Sequence, residues 1–421
     1  MAKLLPFRAY RPAEAGDASD NAGRLAALPY DVVNEEEARG EVAREPLSFL
    51  AIDRPETAFP EGTDPYADEV YRKAAQILND RIESGLYVQD EDPCYYLYAQ
   101  TFRGRTQTGV VCAASVDDYV EGIIKKHENT RPEKEQDRIR HISACSAQTG
   151  PIFLANRTDT VLSGKIKEIT AGQMPVYDFV SAGDVRNRVW VVNDPEDISQ
   201  IRNAFSGMDS IYIADGHHRC ASAVKVALKR REEEQKPDPG AEYNYFLAVV
   251  FPEEDLYIMD YNRVILDWNG HDEGELLDCI GQYFDLSAAA IPDKNDPDPA
   301  LLKGCIRLFL KEKQYDLKLR DGVRSSDPVA GLDVSVLQDL ILEPFFGIKD
   351  PRTDPKIEFV GGIRGSAELI GKVENGAACA FRLAPVSMQE LMAVADAKRL
   401  MPPKSTWFEP KLLSGLFIHR I

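Results

Sequence analysis

The sequence predicts a multi-domain mixed α/β (α+β) protein, and three observations carry that prediction. The chain has 421 residues, more than one hydrophobic core usually holds, so two or three domains are expected. Its side chains are 44% hydrophobic and 9% aromatic, enough to build real cores. Strand-like and helix-like runs alternate along much of the chain, and strands dominate residues 94–126.

The elements follow in order. Leu4–Tyr10 reads as a short strand and leads into a polar loop up to residue 23. Leu25–Leu28 runs into Pro29-Tyr30-Asp31-Val32-Val33, and Asn34 before Glu35, Glu36 and Glu37 marks a capped helix start with acids in its first turn. Pro46–Ile52 resembles a strand, and Val70, Ala74, Ile77 and Leu78 give Tyr66–Glu83 a helical rhythm. Cys94–Phe102, Gly109–Ser115 and Gly122–Lys126 are strand-like. Thr130-Arg131-Pro132-Glu133 matches a capping box, which predicts a helix over 131–146 containing Asp137 and Arg138. Strands at Pro151–Ala155 and Arg188–Val192, then a short helix at Ile198–Phe205, precede the strand Ile211–Ala214. That strand enters Asp215-Gly216-His217-His218-Arg219 directly, and Ala221–Arg230 continues as a helix. Lys229–Gly240 reads as a solvated helix end and loop. Tyr245–Phe251 and Leu256–Asp260 are strands suited to pairing with each other. A helix at Glu273–Phe284, a turn over Asp293–Pro299, a hairpin of Cys305–Lys311 with Gln314–Leu319, and a helix at Val334–Ile341 follow. A strand pair, Ile357–Val360 with Ala378–Leu383, and a helix over 387–399 complete the pattern. The expected domains are 1–235, an α/β domain carrying the Asp215–Arg219 segment; 236–345, an α+β domain; and 346–421, a segment that returns to that site.

The formal net charge is −19, so a long basic surface tracking a nucleic-acid backbone is not expected, while a small anion held by a few focused groups is. No apolar run reaches the roughly 18–20 residues of a membrane helix and the N-terminus lacks a signal-peptide core, so no membrane partner and a cytoplasmic location are expected. A homodimer stays open. Seven cysteines at wide spacings, with no Cys-x-x-Cys, argue against a structural zinc site or a disulfide framework. No Walker A, H-E-x-x-H or G-x-S-x-G pattern occurs, and Val360-Gly361-Gly362-Ile363-Arg364-Gly365 is not a dinucleotide fingerprint.

Four segments carry candidate chemistry. In the first, a strand ends in Asp215-Gly216 and a helix begins at once. Helix N-termini offer free N–H groups and partial positive charge, and Gly216 lets a ligand approach the backbone. His217, His218 and Arg219 add donors suited to phosphate, and Asp215 is the candidate Mg²⁺ ligand. In the second, Lys125-Lys126-His127-Glu128-Asn129-Thr130-Arg131, His127 with Glu128 offers a base, and Thr130 and Arg131 sit at a helix start suited to an anion. In the third, Lys404, Ser405, Thr406 and Lys411 make a stiff, donor-rich clamp between Pro402-Pro403 and the chain beyond Pro410. In the fourth, Asp31 of the Pro29-Tyr30-Asp31-Val32 turn is a candidate catalytic carboxylate. The competing reading of each is structural: a capped turn with surface histidines, an exposed charged helix start, a docked terminal arm anchored by Trp407 and Phe408, and simple turn chemistry.

These four ordered segments together resemble the domain-of-unknown-function family 1015, and the resemblance spans nearly the whole chain. Strand, Gly216, His218, Arg219 and helix are also similar, over about ten residues, to the nucleotide site of the ParB/sulfiredoxin superfamily, which includes kinases acting on free serine. His217 stands where sulfiredoxin has its reactive thiol, and Cys220 lies one residue beyond, so the resemblance does not extend to sulfinic acid reduction. The charge of −19 speaks against the DNA-binding branch. The resemblance implies nucleotide-dependent phosphoryl transfer, with ATP or ADP and Mg²⁺, to a small hydroxyl metabolite, free L-serine being the favoured small-molecule substrate. Arg219, His218, Lys404 and Lys411 would stabilise phosphate charge, Asp215 would hold the metal, and Glu128 or Asp31 would take the hydroxyl proton. The alternatives are a non-catalytic nucleotide-binding regulator and a phosphatase or nucleotide hydrolase.

Overall fold

A computed structural model describes residues 1–14, 16–290 and 301–421; the turn expected over Asp293–Pro299 lies outside the described residues. Helices and several sheets are mixed, as the sequence predicts, and the chain divides into two compact units, Met1–Leu256 with Pro410–Ile421, and Tyr257–Glu409. The division differs from the expected breaks after residues 235 and 345. Tyr245–Pro252 is a fully buried strand paired on both sides with strands of the first unit, which carries that unit past residue 235.

The first unit is built on nine strands: β1 (Leu4–Leu5), β2 (Tyr95–Phe102), β3 (Arg105–Ser115), β4 (Ile124–Lys125), β5 (Ile152–Asn156), β6 (Tyr177–Ser181), β7 (Val185–Val192), β8 (Ile211–Asp215) and β9 (Tyr245–Pro252). Their order is β4-β8-β5-β9-β3-β2-β7-β6, with β1 also paired to β3. The pairs β8/β4 and β9/β5 are parallel and the other pairs antiparallel. Parallel strands are buried on both faces and so read as continuous apolar runs, as Ile211-Tyr212-Ile213-Ala214 does. Three helices matter for the site: α1 (Asp68–Glu83), α2 (Pro132–Cys145) and α3 (His217–Glu233). Cys220, Ala223, Val224 and Ala227 of α3 pack into the main core with Ile213 and Ile152 of the sheet. The Cys220 thiol is fully buried and pushed up by burial, which makes it a packing residue rather than a nucleophile.

The second unit carries six antiparallel strands: β10 (Tyr261–Ile265), β11 (Phe284–Ala288), β12 (Cys305–Phe309), β13 (Gln314–Leu319), β14 (Ile357–Gly361) and β15 (Cys379–Arg382), in the order β11-β13-β12-β15-β10-β14. The expected hairpin is β12 with β13. The expected pairing of β14 with β15 is corrected, because β10 lies between them. Likewise Ile258–Met259 pairs with Trp407–Phe408 rather than with β9.

Two local readings change for clear reasons. Pro46–Ile52 is not a strand: Leu50–Asp53 is a short helix with all four residues buried, and a run buried on every side carries no period by which to tell strand from helix. The capping box at Thr130 does not form. Arg131 is the cap of α2 and makes no side-chain cap bond, Pro132 fixes the first turn, and the Thr130 hydroxyl donates to Glu135 instead of capping with Glu133. Among the described residues no helix is long and apolar enough to cross a membrane.

Candidate phosphate site at the strand–glycine–helix turn

The turn from β8 into α3 follows from the geometry of one glycine. Gly216 takes φ +85°, in the left-handed region, and a Cβ there would lie 3.1 Å from the Arg219 guanidinium. Gly216 is thus needed both for the backbone and for the space Arg219 occupies. The backbone reverses in one residue and α3 starts at His217, several residues earlier than its apolar pattern alone indicates.

Asp215 closes the strand. Its Oδ1 accepts the Gly216 N–H at 2.8 Å and its Oδ2 accepts from Lys411 Nζ at 3.1 Å. Burial alone would raise this carboxyl, but the Lys411 ammonium and the Arg219 guanidinium outweigh it and hold the group well below the usual carboxylate range. Two cations thus act on one carboxylate at the start of α3.

Three imidazoles surround the turn. The rings of His127 and His217 meet edge to face, 4.5 Å between centroids at 88°. His217 Nδ1 stands 3.9 Å from Glu128 Oε2, and His217 Nε2 is buried with no hydrogen-bond partner. Burial, aided by the neighbouring imidazole of His127, keeps His217 well below its ordinary value, so it is neutral at neutral pH. His218 is also lowered, first by burial, with Asp31 and Glu135 acting upward, and its Nδ1 accepts the Arg131 backbone N–H at 3.4 Å. Thr130 faces Glu135, which also takes the Lys225 ammonium and whose carbonyl accepts from the Ser222 hydroxyl at 3.1 Å. These contacts fasten the start of α2 to α3.

The His127 imidazole is pulled down to about 4, mainly by burial, against the field of Asp215. The folded state therefore binds fewer protons than the unfolded chain between pH 6.5 and about 4. The stability this group contributes is fully present above pH 6.5 and lost as pH falls toward 4. Melting temperature measured from pH 7 to 4 should fall, and His127→Gln should remove about one proton from the slope. An identical slope in the variant would show that other groups carry the acid transition.

Behind Arg219 lies a cavity of about 410 Å³, part of it open to solvent. Its polar lining includes Tyr30, Asp53, Arg138, Thr149 and Arg219. Arg138 comes from α2 and Arg219 from α3, and they are only 7% and 9% exposed. Arg219 Nη1 donates to the Pro151 carbonyl at 2.6 Å, while its Nε is buried without a partner. Arg138 pairs with Asp137 at 2.9 Å, and its guanidinium lies 3.9 Å from the centre of the Tyr30 ring. Tyr71 on α1 holds Asp137 through a 2.8 Å bond. Burial raises the Tyr30 phenol to about 12, keeping it a neutral donor. The Thr149 hydroxyl donates to Asp53 Oδ1 at 2.9 Å.

The residues singled out in the sequence are thus partly brought together. Asp215, Gly216, His217, His218, Arg219, His127, Glu128, the Arg131 backbone and Lys411 surround one turn. Asp31 is exposed, and it is its neighbour Tyr30 that lines the cavity. Lys404, Ser405 and Thr406 belong to the second unit. Arg138, His141, Asp53 and Thr149 were not anticipated as lining residues. The one signal for the first two is their three-residue spacing, which puts both on one face of α2. Among the described residues no group of three or more His, Cys, Asp or Glu could hold a metal ion.

No curated protein matches this sequence. Solved structures that match include a free serine kinase in complex with AMP, at 16% identity and TM-score 0.33, covering 71% of this chain and 86% of that one. SbnI with a C-terminal truncation, from Staphylococcus aureus, matches at 11% identity and TM-score 0.36, with coverage of 72% and 85%. A conserved hypothetical protein from Pyrococcus furiosus matches at 15% identity and TM-score 0.33, with coverage of 72% and 92%. Residues 4–335 match the family model described as "Protein of unknown function (DUF1015)", and the chain belongs to that family.

Proposed function

We propose that the turn Asp215–Arg219 and the cavity behind it bind the phosphates of ATP or ADP, and that the protein transfers a phosphoryl group to a small hydroxyl metabolite, free L-serine being the favoured acceptor. The observation that carries this reading is the pair of buried guanidiniums, Arg138 and Arg219, lining one cavity beside a helix N-terminus, with Arg219 Nε lacking a partner. Buried polar groups are ordinarily satisfied, so an orphaned guanidinium donor beside a helix N-terminus suits an anionic ligand.

In the proposed reaction the acceptor hydroxyl oxygen forms a bond to the terminal phosphorus and the bond from that phosphorus to the nucleotide oxygen breaks. Arg219, His218 and Lys411 offset the charge on the phosphoryl oxygens, and the N–H groups at the start of α3 point the same way. Mg²⁺, when bound with the nucleotide, would neutralise phosphate charge beside Asp215. The hydroxyl proton passes to Glu128, which stands against His217 and His127; Asp31, on the exposed side of His218, is the second candidate. Asp215 is held too far below the usual range to serve as a base.

The test is a titration with ATP and ADP in the presence of Mg²⁺, followed by radiolabelled turnover with L-serine and a panel of small alcohols. Saturable binding with labelled serine as product is expected. Binding without any product would leave a regulator, phosphate release without an acceptor would leave a hydrolase, and no binding would overturn the phosphate-site reading.

A further inference from the structure

The second unit buries a cation that has no acidic partner. Arg263 on β10 is 3% exposed, and among the described residues no carboxylate stands within ion-pairing distance of it. Its Nη1 donates to the Tyr261 carbonyl, its Nη2 donates to the Pro403 carbonyl at 3.2 Å, and its guanidinium stacks 5.1 Å from the Phe359 ring. Carbonyls orient a guanidinium but do not neutralise it. Burial without a counter-charge is costly for an ion of this size, and the guanidinium is pushed down to about 9 as a result.

Arg263 lines a small, partly open pocket together with Tyr261, Ser405, Asp333 and Glu390. The two carboxylates there are already committed. Asp333 pairs with Arg324 and accepts the Gly304 N–H at 2.9 Å; Glu390 pairs with Lys303 and accepts the Ser387 N–H at 3.0 Å. The nearby Asp260 is paired with Arg382 at 3.0 Å. Lys404 adds a further cation, its Nζ lying 5.6 Å from the centre of the Tyr261 ring. It sits at φ +56°, in the left-handed region that a lysine adopts at a cost. Ser405 beside it is buried and donates to the Pro402 carbonyl at 2.7 Å. With the other charges cancelled in pairs, Arg263 in the lining and Lys404, exposed against the ring of the lining residue Tyr261, leave two positive charges.

We propose that this pocket is a second anion site, separate from the turn at Gly216, which takes a dianionic phosphate, either inorganic or as a phosphate monoester, between Arg263 and Lys404. Two unpaired cations match a dianion better than a monocarboxylate, and a guanidinium with an ammonium is a pairing suited to phosphate oxygens.

Trp407 gives a local reporter, since its ring meets Tyr261 edge to face at 5.2 Å. The full-length protein is titrated with inorganic phosphate, with O-phosphoserine and with acetate while tryptophan fluorescence is read. A saturable response to one or both phosphates is expected, weakened about 10-fold in Lys404→Ala and about 100-fold in Arg263→Met. The response should vanish in Trp407→Phe and persist in Arg219→Ala, which separates this pocket from the first site. Should Arg263→Met fail to fold, Lys404→Ala, a change at an exposed side chain, carries the test. No saturable response, equal affinity for acetate, or a response untouched by both variants would overturn the proposal.

Discussion

Arg219→Ala is expected to lower nucleotide affinity and turnover together, by about 10²-fold or more, comparable to losing one preorganised donor to a transition-state oxygen. The side chain is 9% exposed, packs across the space that Gly216 leaves by lacking a Cβ, and presents an unpartnered Nε beside Asp215. Its loss removes one of the two cations that share Asp215 and leaves the Pro151 carbonyl without its donor. A purely structural role would show as a lower melting temperature with ligand affinity intact. Arg219→Lys separates the two: it keeps the charge but not the planar fork, so affinity should recover only in part. Titration of ATP and ADP, with melting temperatures measured on the same samples, decides the matter. Unchanged affinity in the alanine variant would remove Arg219 from the site.

How far the sequence reveals this site depends on which interactions are local. The strand–glycine–helix turn is legible because all of its causes lie within ten residues: an apolar strand, a glycine where φ must be positive, and polar donors at a helix start. The capped start at Asn34 is legible for the same reason, and its capping box with Glu37 forms. Thr130 shows the limit. Its spacing to Glu133 fits a box, yet its hydroxyl goes to Glu135, which α3 fixes from 90 residues away through Lys225. The cavity is barely legible beyond Arg219 and the spacing of Arg138 and His141, since Asp53, Arg138, Thr149 and Arg219 come from separate elements and only the fold brings them together. Lys404 and Lys411, seven positions apart, read as one clamp, but the chain passes from one unit to the other between them, at Glu409–Pro410. Only Lys411 is seen on Asp215.

That ion pair supports the second large effect. Lys411→Met should destabilise the protein by about 1–3 kcal/mol. This is below the cost of breaking a fully buried pair, because the Asp215 side chain keeps 31% exposure. The variant leaves a carboxylate facing Arg219 alone, and its pKa should rise toward the ordinary value of 3.8. Asp215→Asn removes the charge while keeping the shape, and should cost turnover about 10²-fold and weaken its dependence on Mg²⁺ if the carboxylate shares the metal with the nucleotide. The sign of the pH effect follows from the depressed carboxyl. The folded pKa lies below the unfolded one, so the contribution of Asp215 is complete above about pH 4 and is lost as pH falls through the folded value. Both single variants should therefore show a shallower loss of stability at acid pH than the parent. The double variant should be less destabilised than the sum of the two, because each single change strands a charge that the double change removes. Urea unfolding at pH 7 and at about pH 3, inside that window, across this four-member cycle measures the coupling and its loss in acid. Strict additivity would mean that Lys411 and Asp215 are neighbours without being partners, and the C-terminal lysine would then have no part in holding the site.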